Sequence, residues 1–280
     1  MPYSKNVLLA AIFLLSLVIV PAVPAQVPAS NHVYIVLEEN QNYSSIIGNT
    51  QMRYLNSLAS TYGLATQYYA NTHPSIGNYF MLTTGQIISN DDAFSGTVSA
   101  DNIVRQLLTI GKTWKCYAES LPSVGYTGGD VYPYIKHHNP FAYISDVINS
   151  SVQVNNLVPF SQFASDLAGK QLPQYSFIVP NNLDNGHDGT LAQLDSWLQT
   201  NIQPLIASSG FQQSDLLVIV WDESDSDTAH GGGRVAMLVI GPKVKSGYQS
   251  TNFYQHQSTL RMMEQTLGLK IGRASCRERV

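Results

Sequence analysis

The stretch Leu216-Leu217-Val218-Ile219-Val220-Trp221-Asp222-Glu223 decides the fold. Its first residues form an apolar run of strand length, rich in β-branched side chains, and the run ends in two carboxylates. Five more segments of this kind are legible: Val33 to Leu37, Ala65 to Tyr69, Thr113 to Ala118, Tyr175 to Val179 and Val235 to Ile240. Between them lie segments with apolar residues at three- and four-residue spacing, namely Met52 to Tyr62, Asn102 to Ile110, Phe160 to Ala168, Leu191 to Ala207 and Ser258 to Leu267. This alternation predicts an α/β domain built on a doubly wound, mainly parallel sheet with helices on both faces. Between Glu119 and Pro159 the pattern dissolves into Gly, Pro, Tyr and His, too long for an ordinary connection and expected to serve an active site.

Composition sets the outer bounds. The 280 residues are 44% hydrophobic and 12% charged, which places the chain among globular proteins and excludes disorder or a coiled coil. A net charge of -4, with 15 Lys and Arg against 19 Asp and Glu, gives no support to non-specific nucleic-acid binding. Residues 1–25 read as a secretory signal peptide, with Lys5, an apolar run of 14 residues from Val7 to Val20, and Val23-Pro24-Ala25 as cleavage site. That run is shorter than the roughly 20 residues that span a bilayer, so the protein is expected to be secreted or periplasmic, without a stable membrane anchor. Residues 271–280, Ile271-Gly272-Arg273-Ala274-Ser275-Cys276-Arg277-Glu278-Arg279-Val280, match one reading frame of a common sequencing adapter. They are read as a non-native tail on a chain cut at about Lys270, which leaves 26–270 as a single domain. Without both ends the charge is -7, and Cys116 is the one cysteine left, expected to be a buried, inert thiol.

In sheets of this type the ligand sits beyond the carboxyl ends of the strands. Those ends are polar here: Glu38-Glu39-Asn40 follows the first strand, Asn71-Thr72-His73-Pro74-Ser75 the second, Pro180 through His187-Asp188 the strand from Tyr175, and Asp222-Glu223 the next. Carboxylates converging from two strand ends call for a cation between them. Oxygen-rich ligation with Asn40 suits Mg²⁺, Ca²⁺ or Mn²⁺, while nearby histidines leave Zn²⁺ or Fe open. Ser75 opens a helix-like run, where unpaired N–H groups and the helix dipole favour an anion such as phosphate; a simple N-cap is the other reading. His230 is either a further ligand or a turn residue, and His32 and His256 are read as structural. The run Asp222 to Asp227 lacks the glycine and glutamate of a calcium loop, and Gly231-Gly232-Gly233-Arg234 lacks the Lys-Ser/Thr of a nucleotide loop.

Residues 72–80 are similar to the nucleophile motif of the alkaline-phosphatase superfamily, in which a Ser or Thr three residues before an Asn opens a helix. A wider set resembles, in family order, the phosphoesterase family of bacterial acid phosphatases and phospholipases C. It comprises Glu39-Asn40, His73-Pro74-Ser75 with Asn78-Tyr79 and Gly85, Trp114-Lys115 with Tyr117 and Glu119, Lys136-His137-His138-Asn139-Pro140-Phe141, Pro180-Asn181 with His187-Asp188, and Asp222-Glu223. The resemblance implies an alkaline-phosphatase-like fold and a divalent metal held by Glu39, Asn40, Ser75, Asp222 and Glu223. It also implies Ser75 as nucleophile, Asn78 on a phosphoryl oxygen, and His137, His138 and His187 binding phosphate or serving the leaving group. Asp188 either orients His187 or is an ordinary loop carboxylate. The expected function is an exported, metal-dependent phosphomonoesterase that acts through a phosphoserine on small phosphate esters. A phospholipase C acting on a phospholipid headgroup is the first alternative, and a non-catalytic phosphate- or glycan-binding protein the second.

Overall fold

A computed structural model describes Met1 and residues 27–270 of the chain. The expected signal peptide, Met1 apart, and the expected non-native tail lie outside the described residues. Eight strands form one sheet: β1 (Val33–Glu38), β2 (Gly63–Tyr68), β3 (Trp114–Ala118), β4 (Leu157–Pro159), β5 (Tyr175–Val179), β6 (Leu216–Trp221), β7 (Met237–Ile240) and β8 (Gln249–Tyr254). Their spatial order is β4-β3-β5-β1-β6-β7-β2-β8. All pairings are parallel except those of β7, which runs antiparallel to both β6 and β2. The mainly parallel, doubly wound α/β architecture expected from the sequence is present.

Every residue of β1, β5 and β6 is buried, which requires cover on both faces of the sheet. Helix Leu191–Ala207 packs with helix Arg53–Thr61, and helix Ile76–Thr84 packs with helix His256–Thr266. The first pair is locked by Asp195, whose two carboxylate oxygens accept the backbone N–H groups of Tyr54 and Leu55 at 2.8 and 2.9 Å. Met52 at the N-cap has no side chain able to do this, so the neighbouring helix caps Arg53–Thr61 instead.

Two strands have no counterpart in the sequence reading. β4 is only three residues long and ends the stretch from Glu119 to Pro159, which also contains four short helical turns between Lys136 and Asn156. β8 is a half-polar edge strand, Gln249-Ser250-Thr251-Asn252-Phe253-Tyr254, and gives no apolar run because one side of it faces solvent. The segment from Val235 is strand only from Met237, and its direction is opposite to the others. Among the described residues no helix is long and apolar enough to cross a membrane.

Candidate active site

The register of β1 on β6 sets Glu38 beside Trp221, so Glu39 and Asp222 leave the sheet side by side at its carboxyl edge. The Asp222 N–H donates to the Glu38 carbonyl at 3.0 Å, continuing the ladder one step. Asn40 then takes a left-handed turn with φ 43°, and its N–H donates to Asp222 Oδ1 at 3.1 Å. From the other side helix Ile76–Thr84 brings Ser75 to the same point. The Ser75 hydroxyl lies 3.3 Å from Glu39 Oε2, 3.4 Å from Asn40 Oδ1 and 3.4 Å from Glu223 Oε1. All five residues that the resemblance assigns to the metal thus meet, with Glu39, Ser75, Asp222 and Glu223 buried.

The donor set fits a hard cation. The outer atom of the Asn40 amide is 3.1 Å from Glu39 Oε2 and 3.3 Å from Asp222 Oδ1; as nitrogen it donates to both, and as oxygen it joins them as a further ligand. Six oxygens around one ion with bonds of about 2.1–2.4 Å stand about 3.0–3.4 Å apart, the separations seen here. Asp222 Oδ2 is buried without a partner. Among the described residues no three His, Cys, Asp or Glu side chains are grouped to hold a metal by themselves. Burial is the main cause that raises the pKa of all three acids. Asp222, also facing Glu223, and Glu223, also facing Asp92, are each pushed up to about 8, and Glu39 rises well above the usual carboxylate range. Carboxylates so placed stay ionised near neutral pH only with a counter-charge among them.

Around these five residues the polar side chains divide into those that hold them in place and those that face outward. Asn78 is fully engaged: Oδ1 accepts the N–H groups of Asn71 and Thr72 at 3.0 and 3.2 Å, and Nδ2 donates to the Thr72 carbonyl at 2.8 Å and to Glu223 Oε2 at 3.3 Å. His138 is buried, with Nε2 3.4 Å from Glu39 Oε1 and its ring stacked on Tyr79, whose hydroxyl donates to the same oxygen. Burial, followed by the charges of His137 and His187, holds its pKa well below the ordinary histidine value. His137 and His187 are more open. His137 Nε2 is 3.9 Å from Asp92 Oδ2, and burial lowers its pKa against the opposing pull of Asp92 and Asp130. His187 pairs through Nδ1 with Asp188 Oδ1 at 2.7 Å, and Asn182 Nδ2 donates to Asp188 Oδ2 at 2.8 Å. Asp188 is therefore placed to orient His187.

Several residues at the site carried no role in the sequence reading. Asp92 Oδ1 accepts the Ile76 N–H at 3.0 Å and so caps the helix that follows Ser75. A side chain on Gly77 would come within 2.5 Å of Asn90, which explains the glycine that lets this loop approach. His256 lies behind the site, with Nε2 2.6 Å from the Asp222 carbonyl and Nδ1 3.0 Å from the Tyr68 hydroxyl. Burial lowers its pKa to about 4, so the ring is neutral and Nε2–H donates to that carbonyl. Glu38, adjacent in sequence to Glu39, points away from the site. It is buried with both carboxylate oxygens unpartnered, and burial, then Glu119 and Asp184, raises its pKa well above the ordinary value. His230, for which the sequence left open a ligand or a turn, forms a left-handed turn, φ 58°, with its ring against Tyr69 and Phe253.

The largely parallel sheet, with Ser75 at a helix start and carboxylates on adjoining strand ends, shares its fold with solved structures of the alkaline-phosphatase superfamily. A member of that superfamily from Vibrio parahaemolyticus aligns over 90% of this chain and 71% of its own at TM-score 0.61 and 13% identity. The lipoteichoic acid synthase of Listeria monocytogenes aligns over 88% and 74% at TM-score 0.61 and 12% identity. The chain belongs to the phosphoesterase family, whose sequence profile matches residues 48–270, and it is a hydrolase acting on phosphoric esters. Glu39 and Asn40 lie before the matched segment. Phosphatidylinositol-3-phosphatase of Mycobacterium tuberculosis is 34% identical over 246 residues, covering 86% of this chain and 78% of that protein. The acid phosphatase of Aspergillus fumigatus is 31% identical over 261 residues, 89% of this chain and 57% of its own, so the chain spans little more than half of that relative.

Proposed function

We propose that this protein is an exported, metal-dependent phosphomonoesterase that uses Ser75 as nucleophile and passes through a phosphoserine. The observation that carries the reading is the Ser75 hydroxyl, held within 3.4 Å of oxygens from Glu39, Asn40 and Glu223 at the start of a helix. A divalent cation held by Glu39, Asn40, Ser75, Asp222 and Glu223 would lower the hydroxyl's pKa and offset charge on the phosphoryl oxygens. The chain's own residues do the rest. Tyr79 and His138 fix Glu39, and Asn78 fixes Glu223, so the groups that face Ser75 are set before substrate arrives. His187, oriented by Asp188, is the open histidine that can protonate the leaving alkoxide and later take a proton from the attacking water. A monoester is favoured over a phospholipase C substrate because the relatives described above are named for monoester chemistry.

The test is hydrolysis of p-nitrophenyl phosphate and p-nitrophenylphosphorylcholine after chelation and metal add-back, beside Ser75→Ala. Acid quench and mass spectrometry then locate the phosphoryl group. Metal-restored monoester turnover and a phosphorylated Ser75 peptide are expected. Preference for the choline diester favours the phospholipase, and no turnover with any metal favours a binding protein.

A further inference from the structure

His73 stands between Glu223 and the loop 224–234, with a contact at each ring nitrogen. Nδ1 is 3.0 Å from Glu223 Oε2, and Nε2 is 3.1 Å from the backbone carbonyl oxygen of Asp227. A carbonyl only accepts, so Nε2–H donates to it; the Nδ1···Oε2 contact is closed by a hydrogen of the ring or of the carboxyl, and the ring orientation is fixed from both sides. The carbonyl is itself well anchored. The Asp227 carboxylate accepts the N–H groups of Ala229 and Arg234 at 2.9 and 2.8 Å and folds the loop back on itself. The loop then lies on the backbone that leads to His73, so close that a side chain on Gly231 would fall 2.0 Å from the Asn71 carbonyl oxygen. This is a structural use of the glycine run that no nucleotide motif supplies.

The consequence falls on Glu223. Its Oε2 is tied by His73 and by Asn78 Nδ2 at 3.3 Å, while Oε1 is left facing the Ser75 hydroxyl. We infer that His73 is a positioning residue of the cation site: by holding Oε2 it aims Oε1 of Glu223 inward and thereby sets the affinity for the cation. Outer partners of metal-bound carboxylates and histidines act in this way generally. The inference rests on the metal dependence proposed above.

Binding of Mn²⁺ and Ca²⁺ to the chelated full chain, followed by calorimetry and by the electron paramagnetic resonance of free Mn²⁺, tests it without reference to activity. Asn at position 73 places an amide, able to donate or to accept, where Nδ1 stands, whereas Gln places one where Nε2 stands. His73→Asn is expected to retain wild-type affinity, and His73→Gln and His73→Phe to lose about 10–100-fold. Should the Phe variant fail to fold, the Asn and Gln variants decide between themselves. Equal affinity in wild type and His73→Gln overturns the inference, as does loss in Asn with retention in Gln, which would put the role in the loop contact. A wild type that binds neither ion overturns the metal reading, and the inference falls with it.

Discussion

Removing divalent cations is expected to make this protein less stable at pH 8 than at pH 5. Glu39, Asp222 and Glu223 are buried together, and for each of them burial and a neighbouring carboxylate raise the pKa, to about 8 for Asp222 and Glu223. In the unfolded chain the same groups release their protons near pH 4. Between those limits the folded state holds protons that the unfolded state has given up. The stability is therefore fully present below about pH 4 and drains away as pH climbs through about 8. For Glu223 alone, moving from 4.5 to about 8, the ceiling is roughly 5 kcal/mol at about 1.4 kcal/mol per pH unit, reduced in practice by relaxation and entering water. Even a third of that shifts the melting temperature of a domain this size by about 3–6 °C. Differential scanning fluorimetry from pH 5 to 8, in chelator and with saturating Mg²⁺, Ca²⁺ or Mn²⁺, reads the effect. The expected pattern is a melting temperature that falls with pH in chelator, and a cation increment that is larger at pH 8 than at pH 5. A flat or rising melting temperature in chelator, or equal increments at both pH values, would refute the reasoning.

Three further outcomes separate neighbouring residues by role. His187→Ala is expected to lower kcat by about 10²-fold or more on alkyl phosphates and far less on p-nitrophenyl phosphate, whose leaving group needs no proton; an equal loss on both would remove His187 as the acid. Glu38→Gln keeps the shape of a carboxyl that is already buried and unpartnered, so melting at pH 7 is expected to be unchanged or higher, with cation binding intact, whereas Glu39→Gln loses the cation. Asp195→Ala uncaps helix Arg53–Thr61 and leaves two backbone N–H groups without their acceptor, at a cost of about 1–3 kcal/mol in denaturant unfolding with kcat unchanged.

The central strands and the residues at their ends were legible in the sequence because the period of burial and the abrupt change to carboxylates are local signals. Leu216–Trp221 and Leu191–Ala207 have the bounds that their patterns give, the latter in spite of Pro204 within the helix. What was not legible depends on contacts between distant segments. β8 is set by pairing with β2, and the direction of β7 by its place between β6 and β2. The site follows the same division. Glu39, Asn40, Ser75, Asp222 and Glu223 were named from strand ends and motif, and the structure brings them together. The parts played by Asp92, Tyr79 and His256 arise from hydrogen bonds across 16, 40 and 34 residues, which no periodicity announces. Glu38 and Glu39 show the finer limit: adjacent and chemically alike, they point to opposite sides of the sheet.

The reversal of β7 has a consequence for how such a site can diversify. A parallel successor to β6 would have to start at the far end of the sheet, and the chain after Glu223 would be drawn away by a crossover. Because β7 runs back beside β6, both stems of the segment 222–236 are anchored at the carboxyl edge of β6, with Val220 facing Met237. Residues inserted at the tip of that segment would extend the wall beside the candidate site and leave the strand order as it is. Substrate range could then be altered by engineering a hairpin tip, with no change to the scaffold that holds Ser75.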